Sequence, residues 1–192
     1  MFSSQIIFSK VHITLYNVFY SSLPPFCFGL LDQSCSLEAQ YNVPYLYESI
    51  RRSSPFSIKR FYAWLLNGVL HSSLIFFLCY ALCRRGVINI DGNPISSALF
   101  GNVVFTLTLI VITLKAALEL RYWFWMTHIG ICGGFFSYIV FMSIFSRRLP
   151  PLIWFEPEFL DSDILMYESP LFWLGLGIPI IVMLPDFIFH WF

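Results

Sequence analysis

Charged residues are scarce in this chain, and their scarcity excludes an ordinary water-soluble domain. Lys and Arg contribute 11 of the 192 residues and Asp and Glu another 11, so only 11% of the chain is charged and its formal net charge is zero. Soluble domains are about 25% charged and about 45–50% apolar, whereas 58% of this chain is hydrophobic. The balanced charge offers no basic surface to a nucleic acid, so we expect no nucleic-acid partner.

The motifs of common enzyme classes are also missing from the sequence. It has no Walker phosphate loop, no Ser-His-Asp arrangement in a plausible loop and no cluster of metal ligands. Its five cysteines are an odd number, which argues against a disulfide framework. Cys79 and Cys83 share one helical face but have no His or third Cys near them in sequence, so we assign no metal site. We therefore expect no catalytic residue within this chain.

Long runs without charge are what the sequence has instead. Five runs of 17 residues or more contain no Asp, Glu, Lys or Arg: 11–31, 61–83, 92–114, 122–146 and 169–185. The hydrocarbon core of a bilayer is about 30 Å thick and needs about 20 apolar residues in a helix, which also satisfies the backbone internally. The sequence predicts an all-α fold, a polytopic transmembrane helical bundle of about five spans at 11–31, 61–83, 97–118, 122–146 and 169–190.

The loops between the predicted spans differ in character. Residues 32–60 form the most polar segment and are predicted to be a structured loop, whereas 84–97 contains the turn sequence Asp91-Gly92-Asn93-Pro94. The short loop 115–122 makes the third and fourth spans antiparallel neighbours, and 147–168 is predicted to be extended with one helical turn at most. With Lys115 left aside, Lys and Arg number five on each side of the bilayer, so the positive-inside rule does not decide orientation.

The first span contains the residues most suggestive of a ligand path. Asn17 is a polar amide within it, and the pair Pro24-Pro25 must disturb the helix because proline has no N–H to donate. Broken helices often line a transport path in membrane proteins. The alternative is an interhelical hydrogen bond from Asn17 and a packing kink at the prolines, and the residues alone leave both open.

Polar residues in the later spans favour structural roles. Lys115 and Glu119 are spaced i and i+4 at the end of the third span, which predicts an ion pair that anchors the helix end. His71 is expected to be an uncharged histidine between helices. Asp186 is expected to cap the last span or mark the membrane interface. Gly133-Gly134 permits close helix contact, although we identify no true small-xxx-small motif.

The order of short motifs along the chain resembles the membrane region of phospholipid-transporting P-type ATPases, the lipid flippases. The resemblance extends over essentially the entire chain with matching loop lengths. The motifs are Phe2-Ser3-Ser4-Gln5, Leu15-Tyr16-Asn17-Val18, Ser22-Leu23-Pro24-Pro25, Gly29-Leu30-Leu31-Asp32, Pro44-x-Leu46-Tyr47, Phe56-Ser57-Ile58-Lys59, Asn67-Gly68-x-x-His71-Ser72, Gly101-Asn102-x-x-Phe105-Thr106, Leu114-Lys115-x-x-Leu118-Glu119 and Trp125-x-x-His128.

The resemblance implies that the chain is the sixth to tenth spans of a ten-span domain, a C-terminal fragment without the N-terminal half. It implies that 32–60 and 115–122 are cytoplasmic, that 84–97 and 147–168 are exoplasmic, and that Asn17 lies beside the lipid headgroup path. The whole protein would use ATP and Mg²⁺ to move phospholipid from the exoplasmic to the cytoplasmic leaflet. It would bind an accessory subunit with two spans, in the plasma membrane or in endosomal or Golgi membranes.

Two other functions compete with this interpretation. The chain could be a stand-alone, non-enzymatic multi-span membrane protein, either a relic or an assembly partner of other spans. It could also be an unrelated small transporter or receptor, which would show ligand-dependent activity by itself in liposomes. Coding sequence upstream of Met1 that contains the family's Asp-Lys-Thr-Gly phosphorylation motif separates the flippase from both alternatives.

Overall fold

The computed structural model describes residues 7–33, 35–45, 47–48, 57–85, 97–148 and 162–191, and these are helical with short connections. The elements are α1 (Lys10–Leu15), a π-helical segment (Tyr16–Tyr20), α2 (Leu23–Leu31), α3 (Leu37–Asn42), α4 (Ile58–Arg85), α5 (Ser97–Glu119), α6 (Trp125–Arg148), α7 (Ser162–Glu168), α8 (Pro170–Gly175) and α9 (Gly177–Trp191). The predicted all-α fold is confirmed, and the described residues contain no strand.

Four helical segments of the described chain are long and apolar enough to cross a bilayer. They are Ile58–Cys83, Leu99–Glu119, Trp125–Ile144 and Pro170–Ile188. The predicted first span is helical as well, but it is divided into α1, the π-helical segment and α2, none of which reaches the length of a span by itself. Its crossing of the membrane as a fifth span stays a prediction.

Helix α5 lies at the centre of the bundle and contacts α4, α6, α7 and α9. Half of the residues in the most apolar stretch of α5 are buried inside the bundle. In α4 the corresponding share is 17%, so this helix is largely exposed. One apolar core joins α5 to α4 and α9 through Leu107, Val111, Ile75 and Val182. The central position of α5 explains why side chains from several elements converge on it.

A second apolar core lies on another side of α5. Phe105 and Leu109 of α5 pack there against Tyr20 of the π-helical segment and Tyr138 of α6. A third cluster, near the start of α5, contains Leu99, Met166 of α7 and Phe172 of α8. The π-helical segment is therefore held against α5 and α6 chiefly by aromatic side chains.

The two predicted long loops contain helices. Ser36 Oγ accepts a hydrogen bond from the Ala39 N–H (3.3 Å) and caps α3, within the loop 32–60. In the loop 147–168, the seven residues of α7 form about two helical turns, so the expectation of one turn at most is wrong. Met166 of α7 is fully buried in the bundle, and this tertiary contact stabilises the helix. The turn predicted at 91–94 lies outside the described residues.

Candidate functional site

The first apolar stretch is a broken helix with an extra residue in its middle turn. Within the π-helical segment the Ser21 N–H donates to the Tyr16 carbonyl at 2.9 Å, an i to i+5 bond in place of the i to i+4 bond of an α-helix. A turn at Ser21 and Ser22 follows, and α2 starts at Leu23. Segments of this kind occur frequently at functional sites.

Pro24 and Pro25 stand in the first turn of α2. Proline is tolerated there because the first N–H groups of a helix have no intrahelical partner. The prolines thus begin a helix after the break, whereas we expected them to kink one. Pro24 has no N–H to donate to the carbonyl four residues earlier, that of Tyr20, and this oxygen lies directly against Gly134 of α6.

Aromatic rings hold the π-helical segment in place, whereas the side chain of Asn17 within it is exposed. The Tyr16 and Tyr20 rings lie 5.9 and 6.3 Å from the Phe105 ring of α5, centroid to centroid, and Tyr20 also contacts Tyr138 at 5.5 Å. Asn17 is exposed, as are its neighbours Val18 and Phe19 at 59% and 53%. The amide of Asn17 thus stands beside exposed apolar side chains.

A buried hydroxyl pair lies beneath the broken helix. Thr106 Oγ1 of α5 and Tyr138 OH of α6 are 2.7 Å apart, and Thr106 Oγ1 also donates to the Asn102 carbonyl at 2.7 Å. Thr106 and Tyr138 are both almost completely buried, at 3% and 0% exposure. A buried hydroxyl needs such a partner because burial without one costs about 1–3 kcal/mol. The pair fixes α5 relative to α6 behind the broken helix.

The second polar feature is an ion cluster that joins three helices around Asp186 of α9. Asn67 Nδ2 of α4 donates to Asp186 Oδ1 at 2.9 Å. Lys115 Nζ of α5 lies 3.2 Å from Asp186 Oδ2, and His71 Nε2 of α4 lies 3.5 Å from the same oxygen. Lys115 Nζ also lies 4.7 Å from the centroid of the Trp64 ring, within cation–π range.

The partner predicted for Lys115 is wrong. Lys115 pairs with Asp186 on another helix, and Glu119 is absent from the ion pairs of the described residues. The physical reason is solvation: Asp186 is only 18% exposed in its side chain and needs a cation, whereas Glu119 is exposed and can remain hydrated. Glu119 lines the same cavity of about 200 Å³ as Lys115 and Asp186.

Close contact between α2 and α6 depends on three glycines of α6, of which Gly133 and Gly134 were expected to permit it. A Cβ added at Gly133 would lie 3.5 Å from the Leu23 side chain, which is an ordinary contact. A Cβ added at Gly134 would meet the Tyr20 carbonyl. Gly130 meets the Cys27 side chain. Gly130-x-x-x-Gly134 is therefore a small-xxx-small motif on the α6 face that contacts α2, and its spacing was available in the sequence.

The chemistry open to these residues is recognition and support. The cysteines are free thiols, and within the described ranges no group of three or more His, Cys, Asp or Glu is placed to hold a metal ion. Asp186, Lys115 and His71 join α9, α5 and α4 to one another. The exposed amide of Asn17 has two N–H donors and an oxygen acceptor.

Comparison with known proteins agrees with the motif order. The family model described as "Phospholipid-translocating P-type ATPase C-terminal" matches residues 1–192. A phospholipid-transporting ATPase of Schizosaccharomyces pombe is 34% identical over 191 residues, which cover 99% of this chain and 15% of that protein. Phospholipid-transporting ATPase 10 of Arabidopsis thaliana is 30% identical over 193 residues, 98% of this chain and 16% of that protein.

A relative of lower identity is covered to a similar extent. Phospholipid-transporting ATPase IH of Mus musculus is 28% identical over 186 residues, 96% of this chain and 16% of that protein. The chain thus spans about one sixth of the length of the relatives it matches. With four apolar helices of membrane-spanning length and a family match over its whole length, this integral membrane chain belongs to the phospholipid-translocating P-type ATPases and corresponds to their C-terminal region.

Proposed function

We propose that this chain is the C-terminal membrane portion of an ATP-driven flippase that moves phospholipid from the exoplasmic to the cytoplasmic leaflet. Family membership supports the ATPase over the stand-alone membrane protein and over the unrelated transporter. The observation that carries the proposal is the broken helix, in which an exposed amide interrupts an apolar surface. A lipid that crosses the bilayer needs such a surface, because its tails require apolar contact and its headgroup a polar one.

Asn17 is the residue that we propose contacts the headgroup. Its amide can donate to phosphate oxygens and accept from an ammonium or hydroxyl group. Pro24 and Pro25 contribute indirectly, because a helix that begins at them leaves the Ser21-Ser22 turn between Asn17 and α2. Because Pro24 and Pro25 donate no N–H, the α-helical ladder is interrupted at this turn, and the span bends most easily there.

ATP and Mg²⁺ would supply the energy in the complete protein. Among the described residues no cluster of carboxylates or histidines is arranged to hold a metal ion, so we derive no step of ATP chemistry through this chain. Its own contribution is one wall of the lipid path and a scaffold of packed helices. The N-terminal half would supply the phosphorylated aspartate and the nucleotide site.

An accessory subunit with two spans is the protein partner that we propose. Helix α4 supports this, because large apolar side chains on it are exposed over several turns: Phe61, Trp64, Leu65, Leu66, Val69, Leu70, Leu74 and Phe77. Copurification of a two-span protein with the complete ATPase, and its loss when exposed α4 positions are changed to Asn, tests the partner.

We propose the plasma membrane or endosomal or Golgi membranes as the location, to be tested by microscopy of the tagged protein.

The direct test of the lipid path is Asn17→Ala in the complete protein. We expect lower ATP hydrolysis at a given phospholipid concentration, with a raised concentration for half-maximal stimulation, because a headgroup contact worth about 1 kcal/mol changes affinity about fivefold. Phosphorylation by ATP should remain possible, since we assign the phosphorylated aspartate to the N-terminal half and not to this chain.

Ser72→Ala is the matched control for Asn17→Ala. Ser72 is an exposed polar residue of a spanning helix, and its hydroxyl is already bonded to the Val69 carbonyl at 3.0 Å. It should leave lipid stimulation unchanged. If Asn17→Ala and Ser72→Ala behave alike, Asn17 has only a structural role; if the complete protein hydrolyses no ATP with any phospholipid, the proposed function itself is wrong.

A further inference from the structure

We propose that Asp32 is a positioning residue that clamps α2 to α6, so that these helices move as one body and the span bends only at the Ser21-Ser22 turn. The proposal rests on the proposed function for its consequence in transport, but its structural part can be tested without it.

Asp32 connects two parts of the chain that are far apart in sequence. Its Oδ1 accepts hydrogen bonds from the backbone N–H of Arg121 at 3.2 Å and of Tyr122 at 3.1 Å. Both donors belong to the short connection between α5 and α6, outside either helix. Backbone N–H groups in such a connection have no helical partner, and a carboxylate oxygen is among the strongest acceptors available.

Asp32 also terminates α2. Its own N–H donates to the Phe28 carbonyl at 3.2 Å, and its ψ of 134° directs the chain out of the helix. One residue thus ends α2 and binds the turn that leads into α6. Any rotation or shift of the end of α2 relative to α6 has to break both hydrogen bonds to Oδ1.

The rest of α2 is in close contact with α6 along its length. From the end of α2 towards the break, Cys27 meets Gly130 and Leu23 meets Gly133. Packing of this closeness resists sliding, because side chains and backbone already fill the space at the interface. At the Ser21-Ser22 turn the α-helical ladder is interrupted: the Ser21 N–H donates to Tyr16, five residues back, the Ser22 hydroxyl donates to the Val18 carbonyl at 2.6 Å, and Pro24 and Pro25 have no N–H to donate. Bending therefore costs least there.

The two functional residues then lie on opposite sides of the bending point. Asn17 precedes the turn, whereas Asp32 is at the far end of the clamped helix. Asp32 is therefore expected to govern how fast the segment around Asn17 can change position. If α2 were loose, a movement of α6 would shift α2 instead of bending the span at the turn. It should have little influence on how tightly lipid is held at Asn17.

Hydrogen exchange in the complete protein tests the clamp directly, with Glu38→Ala as the matched control. Glu38 is an exposed acid in the first turn of α3, six residues from Asp32. In Asp32→Ala we expect the amides of Arg121 and Tyr122 to exchange roughly tenfold faster, as the loss of charge-assisted hydrogen bonds predicts. Asp32→Asn keeps an oxygen acceptor and should return exchange to within about threefold of the parent.

The lipid-stimulated ATPase of the same variants tests the consequence. Asp32→Ala should lower the maximal rate severalfold and leave the phospholipid concentration for half-maximal stimulation unchanged, the reverse of the pattern expected for Asn17→Ala. Glu38→Ala should match the parent in both assays.

Unchanged exchange at Arg121 and Tyr122 in Asp32→Ala would overturn the clamp, as would equal acceleration in the Ala and Asn variants. Exchange that responds as expected in a protein without ATPase activity supports the clamp and sinks only the proposed function. A change confined to the half-maximal lipid concentration would show that Asp32 acts on binding, contrary to the proposal.

Discussion

The ion pair between Lys115 and Asp186 gives the sharpest test of how the bundle is held together. The change is a double-mutant cycle with Lys115→Met, Asp186→Asn and both together, since Met retains most of the lysine stem and Asn retains an oxygen for Asn67. Each single change leaves one charged group in a poorly hydrated position, and the double change leaves none. The double variant should therefore lose less unfolding free energy than the sum of the losses in the two single variants.

The magnitude follows from the geometry. At 3.2 Å between Nζ and Oδ2, two unit charges attract by about 5 kcal/mol at an effective dielectric constant of 20. The side chains are 20% and 18% exposed, so they have lost most of their hydration, and that loss offsets more than half of the attraction. We expect each single variant to lose about 2–3 kcal/mol of unfolding free energy and the coupling energy to be about 5 kcal/mol, because the desolvation of each group cancels in the cycle and only the attraction between the two charges remains.

The assay is SDS-induced unfolding of the chain in mixed micelles, followed by helical circular dichroism. Glu119→Gln is the control, because Glu119 has the i+4 spacing from Lys115 that predicts a pair, yet it is exposed. Its effect should stay within about 0.5 kcal/mol. Additive losses in the double variant, or a larger coupling of Lys115 to Glu119 than to Asp186, would refute the assignment of the partner.

Two further variants test the packing around the broken helix by the same unfolding assay. Gly134→Ala should destabilise the chain by about 1–3 kcal/mol because its Cβ meets the Tyr20 carbonyl, whereas Gly133→Ala, in ordinary contact at 3.5 Å, should be nearly neutral; equal effects would contradict the close approach at Gly134. Tyr138→Phe should cost about 1–2 kcal/mol by removing the 2.7 Å bond to Thr106, and an unchanged stability would mean that this bond contributes nothing.

The sequence predicted well whatever depends on the solvent around each residue. Runs without charge predict helices because a bilayer leaves the backbone no other partner, and the structure has long helices at 58–85, 97–119 and 125–148. The family was recognisable from motif order alone, and the family model matches residues 1–192.

Contacts between elements were harder to predict, because they depend on how each helix is rotated about its axis. Lys115 was assigned the nearest acid in sequence, whereas its partner Asp186 is 71 residues away and faces it only after α9 packs on α5. Asp32 carried no signal in the sequence beyond its place in a motif, because its partners are backbone N–H groups. The spacing Gly130-x-x-x-Gly134, by contrast, can be read from the sequence.

The π-helical turn also sets an angular phase. Each residue of a helix advances the side-chain direction by about 100°, so one additional residue in a turn rotates everything after it by that amount relative to an uninterrupted α-helix. The extra residue between Tyr16 and Tyr20 thus fixes the direction of Asn17 relative to the α2 face that meets the glycines of α6. Deleting one residue here would preserve composition and hydropathy almost unchanged, yet it would turn the amide and the packing face out of register.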